Sequence, residues 1–469
     1  MARDRVLTNR QKIEHEVPDL PNEDQTAKQI LLSTILGKLN DQDIEYAVVH
    51  PGHSRFPDVD SDVDLVFGED PRELLDRIIE EICKSHNGIR LVQRLFYDVF
   101  CGYYYILAIL NDRGFTFLHL DCLYDPYGIN RYHLPTSYLL ENRLQTSYGY
   151  RCSVAREAEY LFLKRIIKNS WTESNTKVMR SLFMSGGHEN QVMAEKWLGA
   201  KGAALADAFF RSAPQVVDQH LTDELNQLLE SRFASRHVGK WIVRHVMTLV
   251  RHISRVFRAT GYFVAIVGPD GAGKSTINQS VQRMLNRGFR HQWHFHWRPK
   301  LLPKLSRTSS SQPQDSVEAP PEHSHYRGLI SFLRFVYYWA DFVLGYWLII
   351  FPKRARSTLI IGERYFPDVL VNPERYGFAV PNWLMRLAAI AVPSADMIIL
   401  LKDDPEAIFD RKPELSVKKI QDQLIRYEEE ISHWRSPSAI QTANGVNDTS
   451  KNVVSHIVNN CHRRLYPQA

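Results

Sequence analysis

One stretch constrains this chain more than any other. "YFVAIVGPDGAGKSTI", Tyr262 to Ile277, runs an apolar strand straight into a glycine-rich turn and the turn into a helical pattern. Gly268, Gly273, Lys274 and Ser275 fit the spacing G-x-x-x-x-G-K-[ST], with Gly271 and Thr276 completing the cradle. Such glycines let backbone N–H groups curl round phosphate oxygens. The lysine reaches the outer phosphates, and the serine hydroxyl ligates Mg²⁺. A helix opening at the loop adds its own attraction for an anion. The expectation is an α/β module, a P-loop parallel sheet flanked by helices, over residues 259–469.

More than half of the 469 residues precede that loop. That is too much chain for one compact core, so two or three domains are expected. A net charge of +5 admits an anionic partner without requiring one. Cys83, Cys101, Cys122, Cys152 and Cys461 are scattered with no zinc or redox spacing, which fits a reduced, cytoplasmic chain. Residues 1–27 read as a polar tail with no apolar core for a signal peptide. Over 28–152, "IEYAVVH", "VDLVF", "RLVQRLFYDVFCGYYYILAIL" and "FTFLHLDCLYD" read as strands, and "PRELLDRIIEEICKSH" as an amphipathic helix opening at Pro71. Residues 153–258 carry helical spacing and form a connector. It ends in "RHVGKWIVRHVMTLVRHISRVFRATG", which repeats Arg and His and has no acidic residue. That helix reads either as a solvated interdomain face or as a contact with an anionic membrane surface. The Ser/Pro-rich stretch 304–325 reads as a mobile loop.

"GLISFLRFVYYWADFVLGYWLIIFP", Gly328 to Pro352, is long enough to cross a bilayer. Asp341 at its middle and Arg334 inside it cost roughly 2.5–3.5 kcal/mol each at a helix centre, which makes insertion marginal. Topology decides. Strands expected at 262–267 and 358–362 belong to one sheet, and a membrane span between them would part them. A buried or interface-facing helix is expected.

"GPDGAGKST" resembles the loop of thymidylate kinases and related nucleoside-monophosphate kinases, and more of their pattern follows in order over about 259–440. "HFHWRPKLLP" looks like their second strand with its substrate motif at Arg298 and Pro299. "STLIIGERYFPD" looks like the strand followed by Asp-Arg-Tyr, and "MIILLKDDPEAIFDRKPELS" like a later strand and its basic lid. The "HWRP" and "RKPELS" style is similar to thymidylate-kinase-like proteins of bacterial surface-polysaccharide gene clusters. The resemblance implies ATP on Lys274 and the loop amides, and Mg²⁺ on Ser275 with Glu363 in place of the family's aspartate. It puts Asp270 at the acceptor's sugar-like hydroxyls, and Arg298 and Arg364 at its phosphate. Gly271 stands where some relatives carry arginine, so the cation on the transferring phosphoryl falls to the lid, where Arg411 and Lys412 are available. A core ion pair for Arg364 and an exposed lid charge for Arg411 are the structural alternatives. His291, His294 and His296 read as a polar strand near the substrate rather than as metal ligands.

In "HPGHSRFPDVDSDVDLVF", Asp62 and Asp64 alternate so that both carboxylates face one side of a strand. Asp121, at the end of a neighbouring strand, would complete a divalent-metal site. The arrangement resembles the nucleotidyltransferase superfamily over about 28–170, with Gly52, His53 and Ser54 where that superfamily has Gly-Ser or Gly-Gly. The alternatives are an acidic turn that solvates a strand start and a nucleotidyltransferase fold with weak or lost activity. The whole chain is thus expected to use ATP and Mg²⁺ in phosphoryl transfer to a small-molecule acceptor other than thymidylate: nucleoside-monophosphate-like, a sugar or a sugar phosphate. The runner-up is an ATP-binding regulatory or assembly protein of polysaccharide biosynthesis or export. No specific nucleic acid is expected, since aromatic–basic interleaving is not evident, and a homodimer is left open.

Overall fold

The computed structural model describes residues 23–49, 57–98, 102–112, 114–130, 133–169, 171–212, 219–303 and 328–467. The Gly52–Ser54 segment, Cys101, the tail before residue 23 and the expected loop 304–325 lie outside them.

The first sheet is built from β1 (Tyr46–Val49), β2 (Val63–Phe67), β3 (Ile89–Asp98), β4 (Gly102–Asn111), β5 (Gly114–Leu123), β6 (Leu144–Thr146) and β7 (Gly149–Arg151). Their order is β3-β4-β5-β2-β1-β7-β6. β3, β4 and β5 form an antiparallel meander, while β2 lies parallel to β5 with Asp64 opposite Asp121. One face of this sheet, carrying Tyr46, Leu65, Tyr105 and Leu120, is covered by α1 (Glu23–Asp41) and α2 (Arg72–Ser85). A chain of helices follows: α3 (Thr136–Leu140), α4 (Val154–Lys168), α5 (Glu173–Ser185), α6 (Gly187–Ser212), α7 (Gln219–Arg236) and α8 (Val238–Phe257). Helices α3 to α7 pack on Ala47, Val49 and Val66 of the opposite face.

The second sheet holds β8 (Tyr262–Val267), β9 (His291–His296), β10 (Thr358–Glu363), β11 (Met397–Lys402) and β12 (Pro437–Gln441), in the order β12-β11-β8-β10-β9. Every neighbouring pair is parallel. All six residues of β8 and of β10 are buried, as strands covered on both faces must be. The helices are α9 (Lys274–Met284), α10 (Leu329–Gly345), α11 (Phe351–Ala355), α12 (Phe366–Val371), α13 (Asn382–Ala389), α14 (Pro405–Arg411), α15 (Val417–Ile431) and α16 (Gly445–Leu465).

The two sheets share one core, a feature the sequence pattern does not reveal. Val92, Tyr104, Ile106 and Phe117 of the first sheet pack with Val264 and Ile266 of β8, Val281 of α9 and Val454 of α16. Helix α16 also fastens the modules by hydrogen bonds. The Leu91 amide donates to His462 Nδ1 at 3.3 Å, and Arg90 Nε donates to Asn459 Oδ1 at 2.9 Å.

The long apolar segment folds back onto the protein. β8 and β10 pair directly, so the chain between them returns to one sheet. The helical run Leu329–Ala355 is long and apolar enough to cross a membrane by composition alone. Yet Phe335, Tyr338, Phe342 and Tyr346 sit in the core beside β8 and β10. Asp341 is fully buried and accepts hydrogen bonds from Arg298 Nη1 at 2.9 Å and the Leu302 amide at 2.6 Å. Removing one partner of such a pair strands a charge, which costs roughly 3–5 kcal/mol, whereas an apolar double replacement is close to neutral. Asp341→Leu should therefore lower the urea midpoint sharply, and Arg298→Met with Asp341→Leu should recover most of it. Tryptophan fluorescence, with Trp297 beside the pair, is the readout.

Candidate functional site

The loop joining β8 to α9 is shaped by contacts that only glycine permits. Gly268 has φ +145°, and a Cβ there would lie 2.5 Å from the Leu401 carbonyl oxygen of β11. Gly271 has φ +86°, and its Cβ would meet the Ile408 carbonyl oxygen at 2.9 Å and Lys412 Cβ at 3.2 Å. The loop and the segment carrying α14 are thus in direct contact, with no room at position 271 for a side chain. Lys274 is buried. Its Nζ donates to the carbonyls of Gly268 at 3.0 Å and Pro269 at 2.8 Å, and lies 3.7 Å from Asp270 Oδ1. Burial, with the Arg364 guanidinium nearby, pulls the amine down to about 7.

Beneath the loop, Ser275 Oγ donates to Glu363 Oε1 at 2.8 Å. Glu363 ends β10, and His294 Nε2 of β9 lies 3.8 Å from its other oxygen. Burial would raise this carboxyl, but the His294 imidazole and the bond from Ser275, with His296 and Lys274 close by, hold it down to about 2. A hydroxyl beside an ionised carboxylate at a phosphate loop is an oxygen pair that suits Mg²⁺. Ser275 and Glu363 are the residues that would hold the ion.

A charged cluster adjoins the loop through Asp270. Asp270 binds Arg364 through one oxygen and Arg375 through the other. Arg364 Nη1 also donates to both oxygens of Asp368, at 3.0 and 3.1 Å. Asp368, fully buried, accepts in addition from the hydroxyls of Tyr376 and Tyr427. Burial alone would raise Asp270; the three cations Arg364, Lys274 and Arg375 overcome it and hold the carboxyl far below its usual range. Arg364 is therefore a core ion-pair residue that also faces the loop through Asp270. Trp297 stacks flat on Tyr376, with ring centroids 4.7 Å apart and planes 5° from parallel.

Backbone strain gathers here. Trp297 (φ +64°), Lys300 (φ +63°) and Arg364 (φ +67°) occupy the left-handed region just beyond β9 and β10. Non-glycine residues rarely sit there unless the surroundings enforce it, and such positions concentrate at functional sites. Hydrogen bonds hold two of the three: Trp297 N donates to the Glu363 carbonyl at 2.7 Å, and Arg364 N to the Ile266 carbonyl at 2.9 Å.

Other expected residues are placed differently. Arg298 has its Nη1 engaged by Asp341 and, at 2.7 Å, by the Leu302 carbonyl, inside the protein rather than at the cluster. Arg411 pairs with Asp403 and is largely exposed, while it is Lys412 whose Cβ would touch a side chain at 271. The stretch "ERYFPDVLVNPERYG" marks Asp368 and Arg375 as acceptor-side residues, and both join the cluster; Tyr427 joins it with no motif to announce it.

In the first sheet, Asp64 and Asp121 lie side by side, but the cation that Asp64 meets is the buried Lys164 of α4, whose Nζ donates to both of its oxygens. Asp62 accepts from Tyr104 Oη at 2.9 Å and lies 3.5 Å from His119 Nδ1. Burial and the neighbouring Asp64 push Asp121 up to about 7. Among the described residues, no three His, Cys, Asp or Glu side chains are arranged to hold a metal ion.

No protein-family model matches the chain, and no curated protein matches it. Among solved structures, a thymidylate kinase from Ehrlichia chaffeensis is similar over 42% of this chain and 97% of its own, at 14% identity and a TM-score of 0.28. A likeness that slight carries no argument, and the site's own geometry must carry the reading.

Lys274 yields a pH dependence. With its amine at about 7, it is neutral above that pH and charged below it. A polyphosphate favours the charged form, so binding above pH 7 must draw a proton from solvent. At alkaline pH, Mg-ATP binding should take up about one proton, read from calorimetric heats in buffers of different ionisation enthalpy. Affinity should fall as pH rises past 7. Lys274→Met should abolish the uptake; equal uptake in both proteins would contradict the assignment.

Proposed function

We propose that the C-terminal module transfers the γ-phosphoryl group of ATP to a small-molecule acceptor, in the manner of a nucleotide kinase. The observation that carries this is the junction at the loop. Lys274 and the Ser275–Glu363 pair meet the Arg364–Asp270–Arg375 cluster there, with Lys274 Nζ 3.7 Å from Asp270 Oδ1. In such a transfer the bond from the γ-phosphorus to the β,γ-bridging oxygen breaks as one to the acceptor oxygen forms, releasing ADP and a proton. Mg²⁺ held by Ser275 and Glu363 would neutralise phosphate charge during that exchange. The protein's own part is positioning and electrostatics. Lys274 neutralises the outer phosphates, the loop excludes side chains from the cradle, and the α14 segment brings Lys412 and Arg411 as candidate cations for the transferring group.

The acceptor side favours an anionic ligand. Arg364 and Arg375 are held by Asp270, and an acceptor phosphate would compete with that carboxylate for them. The flat Trp297–Tyr376 stack packs in the core beside these charges and holds Tyr376 against Asp368. A nucleoside monophosphate or a sugar phosphate fits this description, and a setting in surface-polysaccharide biosynthesis suits the sugar class. Trp297 and Arg375 occupy places where thymidylate kinases carry other groups, so thymidylate is a poor match. The N-terminal module supports a second reading, nucleotidyl transfer, through the side-by-side Asp64 and Asp121; it requires Lys164 to leave Asp64 when a metal ion arrives.

The test is ADP release and product formation over a panel of nucleoside monophosphates, sugars and sugar phosphates. Lys274→Ala should abolish turnover while the fold persists. Arg375→Ala should raise KM for the phosphorylated acceptor by roughly tenfold or more and leave KM for ATP unchanged. Thymidylate should give kcat/KM below roughly 10⁴ M⁻¹s⁻¹. ATP hydrolysis with no phosphorylated acceptor across the panel would favour a regulatory or assembly role instead.

A further inference from the structure

Helix α8 is amphipathic in the wrong sense for a soluble connector. Its half-buried face, turned towards the protein, holds Lys240, Arg244, Thr248, Arg251, Ser254 and Arg255, with Trp241 and Met247 as its apolar members. Its outward face carries Ile242, Val246, Leu249, Ile253, Val256 and Phe257, with Leu249 62% and Phe257 83% exposed. The spacing of four and three residues puts these on one stripe of the helix. No residue of α8 is buried. An ordinary surface helix turns its apolar stripe to the core; this one presents it to the outside, and a contiguous patch of that kind marks a surface that something covers.

Charge identifies the cover. Between Glu230 and Asp270 there is no acidic residue, and the exposed rim of the stripe carries His245, His252 and Arg258. The inward polar face is cationic as well: Arg244 pairs with Glu230 of α7, and burial beside Arg251 and Arg290 lowers the Arg255 guanidinium to about 10. A second copy of α8 laid on the first in a two-fold dimer would bring a basic rim onto a basic rim with no carboxylate from this helix to answer it. Anionic phospholipid answers both features: acyl chains take the stripe and headgroups take the rim.

A second element favours the same cover. α8 touches α11, the end of the long apolar helical run, whose outward side exposes Leu344, Trp347 and Leu348. Next to it, tied by a bond from Trp339 Nε1 to the Ala388 carbonyl at 2.8 Å, α13 exposes Trp383 and Leu387 beside the exposed Arg386. Exposed tryptophan next to basic side chains is the composition of a membrane interface.

We propose that the outward stripe of α8 is a peripheral docking surface for an anionic lipid bilayer, with α8 lying in the plane of the headgroups. This is independent of the chemistry proposed for the phosphate loop.

The experiment is co-sedimentation of the full-length protein with phosphatidylglycerol–phosphatidylcholine vesicles, with pure phosphatidylcholine vesicles as comparison, at low and high salt. The wild type should sediment with the anionic vesicles, bind the neutral ones far less, and release as salt rises. Leu249→Glu with Ile253→Glu should lower the vesicle-bound fraction about tenfold or more. Both sites are exposed, so the far-UV circular dichroism should be unchanged. If that variant does not fold, His245→Glu with Arg258→Glu, which spares the stripe, should also reduce binding to anionic vesicles. Failure of the wild type to bind anionic vesicles overturns the proposal. So does a concentration-dependent dimer that the stripe variant dissolves, since a second copy would then be the cover.

Discussion

The site depends on one buried guanidinium. Arg364 stands at the end of β10 in a strained backbone conformation and holds two carboxylates, Asp270 of the phosphate loop and Asp368 of α12. A charge so deeply buried is tolerable only when paired and hydrogen-bonded. Through Asp270 it fixes the loop, through Asp368 it fixes Tyr376 and Tyr427, and through Tyr376 it fixes the stacked Trp297. The same strand end delivers Glu363 to Ser275. Loop, Ser275–Glu363 pair and Trp297–Tyr376 stack are thus set by consecutive residues, Glu363 and Arg364, whose side chains face different partners.

The parallel sheet makes that arrangement possible. In an open α/β sheet the carboxyl ends of the strands form the crevice where ligands meet the chain. β8, β9 and β10 end together, at Val267, His296 and Glu363, with β8 and β9 flanking β10. The buried Arg298–Asp341 pair then ties the turn after β9 to α10, so the apolar helical run serves as a wall of the module.

Local signals were legible in the sequence and long-range pairings were not. The strand–loop–helix at 262–284 is written in a continuous apolar run, a glycine turn and a lysine, and it forms as read. The strands at 46–49, 63–67 and 358–363 stand out by alternation or β-branched content. The connector's helices stand out by their period. The short β6 and β7 lack enough residues for a pattern, and β12, "PSAIQ", is too polar to announce itself. The shared core between the sheets depends on which face of β3–β5 remains open after α1 and α2 have packed. No local window contains that information. Lys164 beside Asp64 is 100 positions away in sequence, and Arg298 beside Asp341 is 43 away. A spacing rule can nominate the carboxylates or the arginine, but their partners come from tertiary packing. Helix α8 shows the same limit: its period says that one face is apolar, and only the fold says that this face looks outward.

The loop at 268–275 and the strand end at Glu363–Arg364 are proposed to bind one polyphosphate together. Hydrogen–deuterium exchange with and without Mg-ATP tests this. Exchange should slow at 268–276 and 362–365 only, and the slowing should be lost in Lys274→Ala. Unchanged exchange in both segments, or protection arising only around Asp62, Asp64 and Asp121, would contradict it.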